Sequence, residues 1–167
     1  VNALRYLARN ESGRWLLFNP YTHTTLVTTS YHIDQIEATG AIVHRVQNEP
    51  IANSMTAPNK LFLSVSNRCN LRCRHCFSDS SPLGQIEPSF NDLVSIIQEA
   101  SDMGVFSIII GGGEPLIRKD IWDVIAFARS LNLGVAITTN GTSIHNSDIT
   151  NIIKLGIKIN ISIDGGR

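Results

Sequence analysis

From Lys60 onward the chain alternates short apolar runs with amphipathic segments, and this alternation restricts the fold more than any other feature. Residues 61–65 form a nearly continuous apolar run, the pattern of a strand buried on both faces. Residues 90–103 place Phe90, Leu93, Val94, Ile97 and Ala100 at helical spacing, between Ser89 as N-cap and Gly104 as stop. The alternation continues with strands over 105–110, 134–139 and 157–163 and helices over 121–131 and 149–155, the last capped by Asn146 or Ser147 and ended by Gly156. Repeats of this βα kind build a parallel sheet through right-handed crossovers, so the fold class is α/β. The last strand would be left as an apolar edge, which proteins avoid. The fold is therefore expected to continue past Arg167.

Residues 1–50 read differently, as a small β-rich unit. Leu4, Tyr6 and Ala8 alternate with Arg5 and Arg9, Glu11-Ser12-Gly13 marks a tight turn, and Trp15-Leu16-Leu17-Phe18 follows as a second strand. Asn19-Pro20 breaks that run, because proline lacks an amide hydrogen and restricts its predecessor. Leu26-Val27-Thr28-Thr29 predicts a third strand, and Ser30 a cap for a short helix through about Ala38. Residues 51–59 have the composition of a linker, leaving 60–167 as the βα core.

Three cysteines, Cys69, Cys73 and Cys76, stand in the loop after the first core strand. A disulfide framework would use an even number spread along the chain. Three thiols within one short loop, beside Arg68, Arg72 and Arg74, form a ligand cluster instead, since nearby cations favour the thiolate that binds metal. Such a loop can hold a cubic iron–sulfur cluster by three irons and leave the fourth open. The alternative is a zinc site completed by His75, because structural zinc takes four protein ligands. A second motif, Gly111-Gly112-Gly113-Glu114-Pro115, ends the second core strand. Its glycines let the backbone approach a ligand, and its carboxylate can accept hydrogen bonds from an ammonium group. Thr138-Thr139-Asn140-Gly141 and Ser162-Ile163-Asp164-Gly165 end the third and fourth strands. All four sites fall at carboxyl ends of successive parallel strands, where barrel active sites assemble.

The run from Asn67 to Cys76 resembles the signature of the radical S-adenosylmethionine superfamily. That resemblance implies the first half of a partial (β/α)6 TIM-like barrel, truncated after its fourth strand. It also implies a [4Fe–4S] cluster on Cys69, Cys73 and Cys76 that binds S-adenosylmethionine at its open iron. One electron then cleaves the sulfonium to a 5′-deoxyadenosyl radical, which abstracts a hydrogen atom. Gly112, Gly113 and Glu114 would hold the cofactor's methionine amine, Ser162 and Asp164 its ribose or carboxylate, and Asn140 would line the pocket. The leading β unit resembles that of enzymes maturing ribosomally made peptides, some of which add a precursor's leader as an extra strand.

These readings imply a radical enzyme of peptide or protein maturation, with a ribosomal precursor peptide and a flavodoxin- or ferredoxin-type electron donor as partners. The alternatives are a cofactor-biosynthetic enzyme acting on a small molecule and, from another class, a non-catalytic zinc or scaffold module. Acidic and basic side chains balance at fourteen each, so no long-range field favours nucleic acid or an anionic membrane. No apolar stretch nears the ~20 residues that a membrane span needs. No signal peptide precedes the first strand, which makes a reducing cytoplasm the expected location. With part of the barrel missing, the segment by itself is expected to bind a cluster but turn over poorly.

Overall fold

The computed structural model describes residues 4–46, 49 and 55–164. Its elements are β1 (Arg5–Glu11), β2 (Arg14–Asn19), β3 (Thr24–Thr28), α1 (Ser30–Ala38), β4 (Ile42–Val46), β5 (Lys60–Ser64), α2 (Phe90–Met103), β6 (Ser107–Gly111), α3 (Ile121–Ser130), β7 (Gly134–Thr139), α4 (Asn146–Leu155) and β8 (Lys158–Ile161). They make two four-stranded sheets, ordered β3-β2-β1-β4 and β5-β6-β7-β8. Part of the anticipated linker, residues 51–54, lies outside the described residues.

The second sheet is parallel throughout. Its residues Leu63, Ile108, Ile110, Val135 and Ile137 pack with Leu93 and Ile97 of α2 and Val124, Ile125 and Ala128 of α3 in one core. Local chemistry explains why α2 matches the expected span. Ser89 and Asp92 form a reciprocal capping box, and Gly104 closes the helix at φ 94°, a left-handed conformation that glycine adopts without a side-chain clash. In α4 the cap is His145 rather than Asn146 or Ser147, its backbone N donating to the Asp148 carboxylate at 2.8 Å. The expectation that the first core strand is buried on both faces is corrected: Phe62 is 75% exposed, and only the helix-facing side of β5 is covered among the described residues. Strand β8 ends at Ile161, two residues short of the expected span, opposite the last residue of β7, with one further bond from Ser162 N to Thr139 O at 2.9 Å.

The leading unit holds one strand that its pattern does not advertise. Polar His44 and Arg45 interrupt residues 42–46, yet this segment pairs in parallel with β1 as β4. The helix cap is Thr29, one residue before the expected Ser30. Period-two alternation gives the first sheet two apolar faces. Ala8 and Leu17, cross-strand partners, pack with Ile33 of α1, whereas the next pair, Leu7 and Phe18, joins the core of the second sheet.

Instead of standing apart, the leading unit is docked on the ends where the parallel strands begin. Phe18 stacks on Phe106 at 5.3 Å, and the fully buried Arg9 covers the same ring at 4.7 Å while donating to the Gly104 carbonyl at 2.6 Å. The turn after β2 follows: Lys158 donates to the Thr22 carbonyl at 2.8 Å, and Arg129 lies 4.5 Å from the Tyr21 ring centre. His23 sits against Gly134, where an added Cβ would meet its ring at 3.2 Å and the Phe18 ring at 2.8 Å. A buried apolar and aromatic contact of this kind contributes several kcal/mol in general. No helix among the described residues is long and apolar enough to cross a membrane.

This docking makes stability depend on pH. Burial, with Lys158, Arg129 and Lys60 nearby, lowers the His23 imidazole from 6.5 to about 4, against a hydrogen bond with the Val135 backbone. The folded state thus binds fewer protons than the unfolded state below pH 6.5, so this contribution is intact above 6.5 and is lost as pH falls to about 4. The loss is expected to be roughly 1–2 kcal/mol once solvent screening is allowed for. Urea melts across this range should show a flatter profile for His23→Gln than for the natural sequence; parallel profiles would refute the assignment.

Candidate active site

The site is built where the parallel strands end. Beyond β5, Val65 donates to the Gly111 carbonyl at 3.0 Å and prolongs the sheet by one step. The chain then turns into the cysteine loop, and the glycine turn after β6 clasps it: Gly113 N donates to Ser66 O at 2.6 Å and Glu114 N to Arg68 O at 2.9 Å. The contact is so close that a Cβ on Gly113 would overlap the Arg68 carbonyl oxygen, and one on Gly112 would overlap the Ser64 hydroxyl. Gly112 also has φ 113°, which side-chain-bearing residues rarely adopt. Two of the three glycines thus serve contact between protein segments, whereas Gly111 faces open space.

The rest of the loop is tied down with equal care. The Asn67 side chain accepts from Ile86 N at 2.8 Å, and Cys69 N donates to Ser81 O at 3.0 Å. Arg118, 4% exposed, donates to the carbonyls of Val65 and Pro88 at 3.0 and 2.8 Å, pinning the chain on both sides of the loop. Asn67 only opens the cysteine run and Arg118 stands in no motif, so their partners alone reveal this part.

Glu114 is 1% exposed. One carboxylate oxygen accepts from Thr139 Oγ1 at 2.6 Å and Leu116 N at 3.1 Å, and the other from Asn140 N at 2.8 Å. A buried carboxylate needs such donors to repay its lost hydration. The carboxylate fastens the end of β6 to the end of β7. Asn140 then continues toward the cysteines, donating to Asn70 Oδ1 at 2.9 Å and pointing its amide at the Cys69 sulfur, 3.8 Å away.

The nine candidate site residues line one cavity of about 270 Å³: Cys69, Cys73 and Cys76 from the loop, Gly112, Gly113 and Glu114 after β6, Asn140 after β7, and Ser162 and Asp164 after β8. Sequence reasoning placed Thr138 and Thr139 in the run that ends the third strand without assigning them a role, and omitted the aromatic Phe77; all three share the lining. The donor set suits an anionic sulfur cluster. Leu71 N donates to the Cys69 sulfur at 3.4 Å and Ser80 N to the Cys76 sulfur at 3.3 Å. Hydrogen bonds from Ser78 and the Ser80 amide lower the Cys76 thiol, whereas burial and then the Asp164 charge raise that of Cys73. His75, the fourth ligand that zinc would require, faces Asp164 at 3.2 Å. Among the described residues no three His, Cys, Asp or Glu side chains converge on the position of a single ion.

Comparison with known proteins gives the same picture. Residues 63–167 match the radical SAM superfamily. The chain is 35% identical over 118 residues to the mycofactocin maturase MftC of Mycobacterium tuberculosis, covering 70% of this chain and 30% of that protein. It is 37% identical over 106 residues to a probable GTP 3′,8-cyclase of Methanothermobacter marburgensis, covering 62% of this chain and 34% of that one. Among solved structures, Streptococcus suis SuiB bound to the precursor peptide SuiA aligns with a TM-score of 0.64 at 19% identity, over 92% of this chain and 46% of SuiB. The chain spans about a third of the length of those curated relatives.

The tight clasp makes a sharp contrast between glycines. Gly113→Ala is expected to cost ~2–4 kcal/mol in urea melts by forcing the cysteine loop outward, whereas Gly111→Ala, with nothing in its way, should stay within about 1 kcal/mol. Equal effects would show that the clasp does not hold the loop. Glu114→Gln puts an amide where only acceptors fit, and should cost about 1–3 kcal/mol in the same assay. A neutral result would mean that the three donors are satisfied in some other way.

Proposed function

Since this chain belongs to the radical SAM superfamily, whose enzymes use a [4Fe–4S] cluster and S-adenosylmethionine, we propose that it is the cluster-bearing part of a peptide or protein maturase working in a reducing cytoplasm. The observation that carries this reading is the meeting of groups from four successive strand ends in one cavity beside three thiols. Cys69, Cys73 and Cys76 would hold the cluster. When bound and reduced by one electron, the cluster and its partner cofactor supply a 5′-deoxyadenosyl radical for hydrogen abstraction.

The chain's own residues do the positioning. Leu71 N, Ser80 N and the Asn140 amide direct hydrogens at sulfur and stabilise its negative charge. Glu114 keeps its carboxylate in the cavity wall through three donors, and the oxygen that accepts only from Asn140 N keeps capacity for an ammonium group. Gly112 and Gly113 bring backbone into the same wall. Ser162 and Asp164, more exposed, would meet the outer part of the cofactor.

Two observations favour a peptide substrate over a small molecule. The likeness to SuiB extends over 92% of this chain, which cannot be reached without the leading unit. That unit also presents an edge strand: β3 pairs only with β2 among the described residues, and its Leu26 and Val27 are 56% and 68% exposed. An unpaired, apolar edge accepts an added strand readily, so the leader of a precursor peptide would extend the sheet beyond β3. The similarity to a GTP 3′,8-cyclase supports the small-molecule alternative through the barrel portion of the chain.

Anaerobic reconstitution with iron and sulfide provides the test. The reduced protein should give an electron-spin signal that shifts on adding S-adenosylmethionine, and replacing all three cysteines by alanine should abolish it. A zinc-only stoichiometry, or a cluster that survives the triple replacement, would overturn the assignment.

A further inference from the structure

We propose that Asn140 tunes the one-electron reduction potential of the cluster, raising it through a hydrogen bond from its side-chain amide to the Cys69 sulfur. The inference rests on the reading of Cys69, Cys73 and Cys76 as cluster ligands and gives a redox role to a residue that follows β7. Asn140 Nδ2 lies 3.8 Å from Cys69 Sγ, within hydrogen-bond reach of the large sulfur atom.

The network around the amide decides which end faces the sulfur. Asn140 Oδ1 accepts from Thr142 N at 2.9 Å and from Thr142 Oγ1 at 2.7 Å, so the oxygen is turned toward that residue. The nitrogen is left for the cysteine loop, where two acceptors match its two hydrogens: Asn70 Oδ1 at 2.9 Å and Cys69 Sγ. Asn70 is oriented in turn, because its own Nδ2 donates to Thr142 Oγ1 at 2.8 Å and Ser143 Oγ at 3.1 Å. A flipped Asn140 amide would set its oxygen against two acceptors and its N–H against the Thr142 N–H.

Asn140 is also anchored apart from the loop it serves. Its backbone N donates to Glu114 Oε2 at 2.8 Å, and Glu114 is itself buried and held by Thr139 and Leu116. The other hydrogens near the cysteine sulfurs, from Leu71 N, Ser80 N and the Ser78 hydroxyl, belong to the cysteine loop. Among the described residues, Asn140 alone brings an N–H to a cysteine sulfur from another strand end. Charge then gives the sign. Reduction adds one negative charge that the sulfurs share, and an N–H aimed at a ligand sulfur favours the reduced state. Removing that hydrogen lowers the potential, and a carboxylate in its place lowers it further.

The test is a redox titration of the full, cluster-loaded chain, in which dithionite delivers one electron per cluster through dye mediators and the reduced cluster is read by its electron-spin signal. At the natural chain's midpoint, Asn140→Ala should lower the ratio of reduced to oxidised cluster roughly 3–10-fold, a tenfold change being about 59 mV for one electron. Asn140→Asp keeps an acceptor for Thr142, should lower the ratio further, and carries the test where the alanine chain loads poorly. Asn70→Ala loosens the same contact between the two loops but leaves the Asn140 N–H in place, so its ratio should stay within about twofold of the natural one. An unchanged potential in Asn140→Asp, or an equal fall in Asn70→Ala, would overturn the redox role and leave Asn140 a tie between loops. A natural chain that takes up no dithionite-reducible cluster would overturn the function on which that role rests.

Discussion

The clasp between the cysteine loop and the glycine turn is the contact on which the site depends. Two backbone hydrogen bonds, Gly113 N to Ser66 O and Glu114 N to Arg68 O, draw the ends of β5 and β6 together beyond the point where sheet pairing stops. They form only because nothing larger than hydrogen projects from residue 113 toward the Arg68 carbonyl. A loop of this length, left alone, would have many conformations, and ordering it costs roughly 1–2 kcal/mol per residue. The clasp, the Asn67 turn and the Arg118 bridge meet that cost from outside the loop, so the cysteines reach the cavity on a backbone already held in place.

Glu114 extends the same logic to the next strand. Its buried carboxylate accepts from three protein donors, which ties β7 into the wall and aims Asn140 at the cysteine loop, while the oxygen bound by Asn140 N alone can accept one more. A charged group is suited to this task because it accepts several short bonds at once, and because leaving any of them unmade in a buried place is costly. Function and architecture therefore share one side chain: the group proposed to meet the cofactor also keeps the cavity in shape.

The opposite end of the barrel carries the leading unit. Alternation along β1 and β2 sends Ala8 and Leu17 to α1 and Leu7 and Phe18 to the parallel sheet, so the small sheet is a layer between two cores. Arg9 and the turn through His23 complete the join at the strand beginnings. With β3 paired only to β2 among the described residues, the unit combines a docked face with an open edge.

Much of this was legible in the sequence, for reasons that are local. Strand and helix periodicity, the Ser89 cap, the Gly104 stop and the spacing of Cys69, Cys73 and Cys76 depend on neighbours a few residues away, and these set the α/β order and the candidate ligands. The strand β4 escaped notice because His44 and Arg45 break its pattern, and its place is decided by β1, distant in sequence. The glycine turn reads as a ligand cradle from its sequence, and the structure adds that two of its glycines also lie tight against the Ser64–Arg68 segment. Likewise the partners of Glu114, the buried setting of His23 and Arg9, and the union of the leading unit with the barrel exist only after segments many residues apart meet. What the sequence determined by itself was which elements form and which chemistry they carry, because propensity, capping and ligand spacing act over one or two turns of chain. Only the tertiary structure decided which groups face one cavity and which serve to hold it, because burial and hydrogen-bond satisfaction are settled between distant segments.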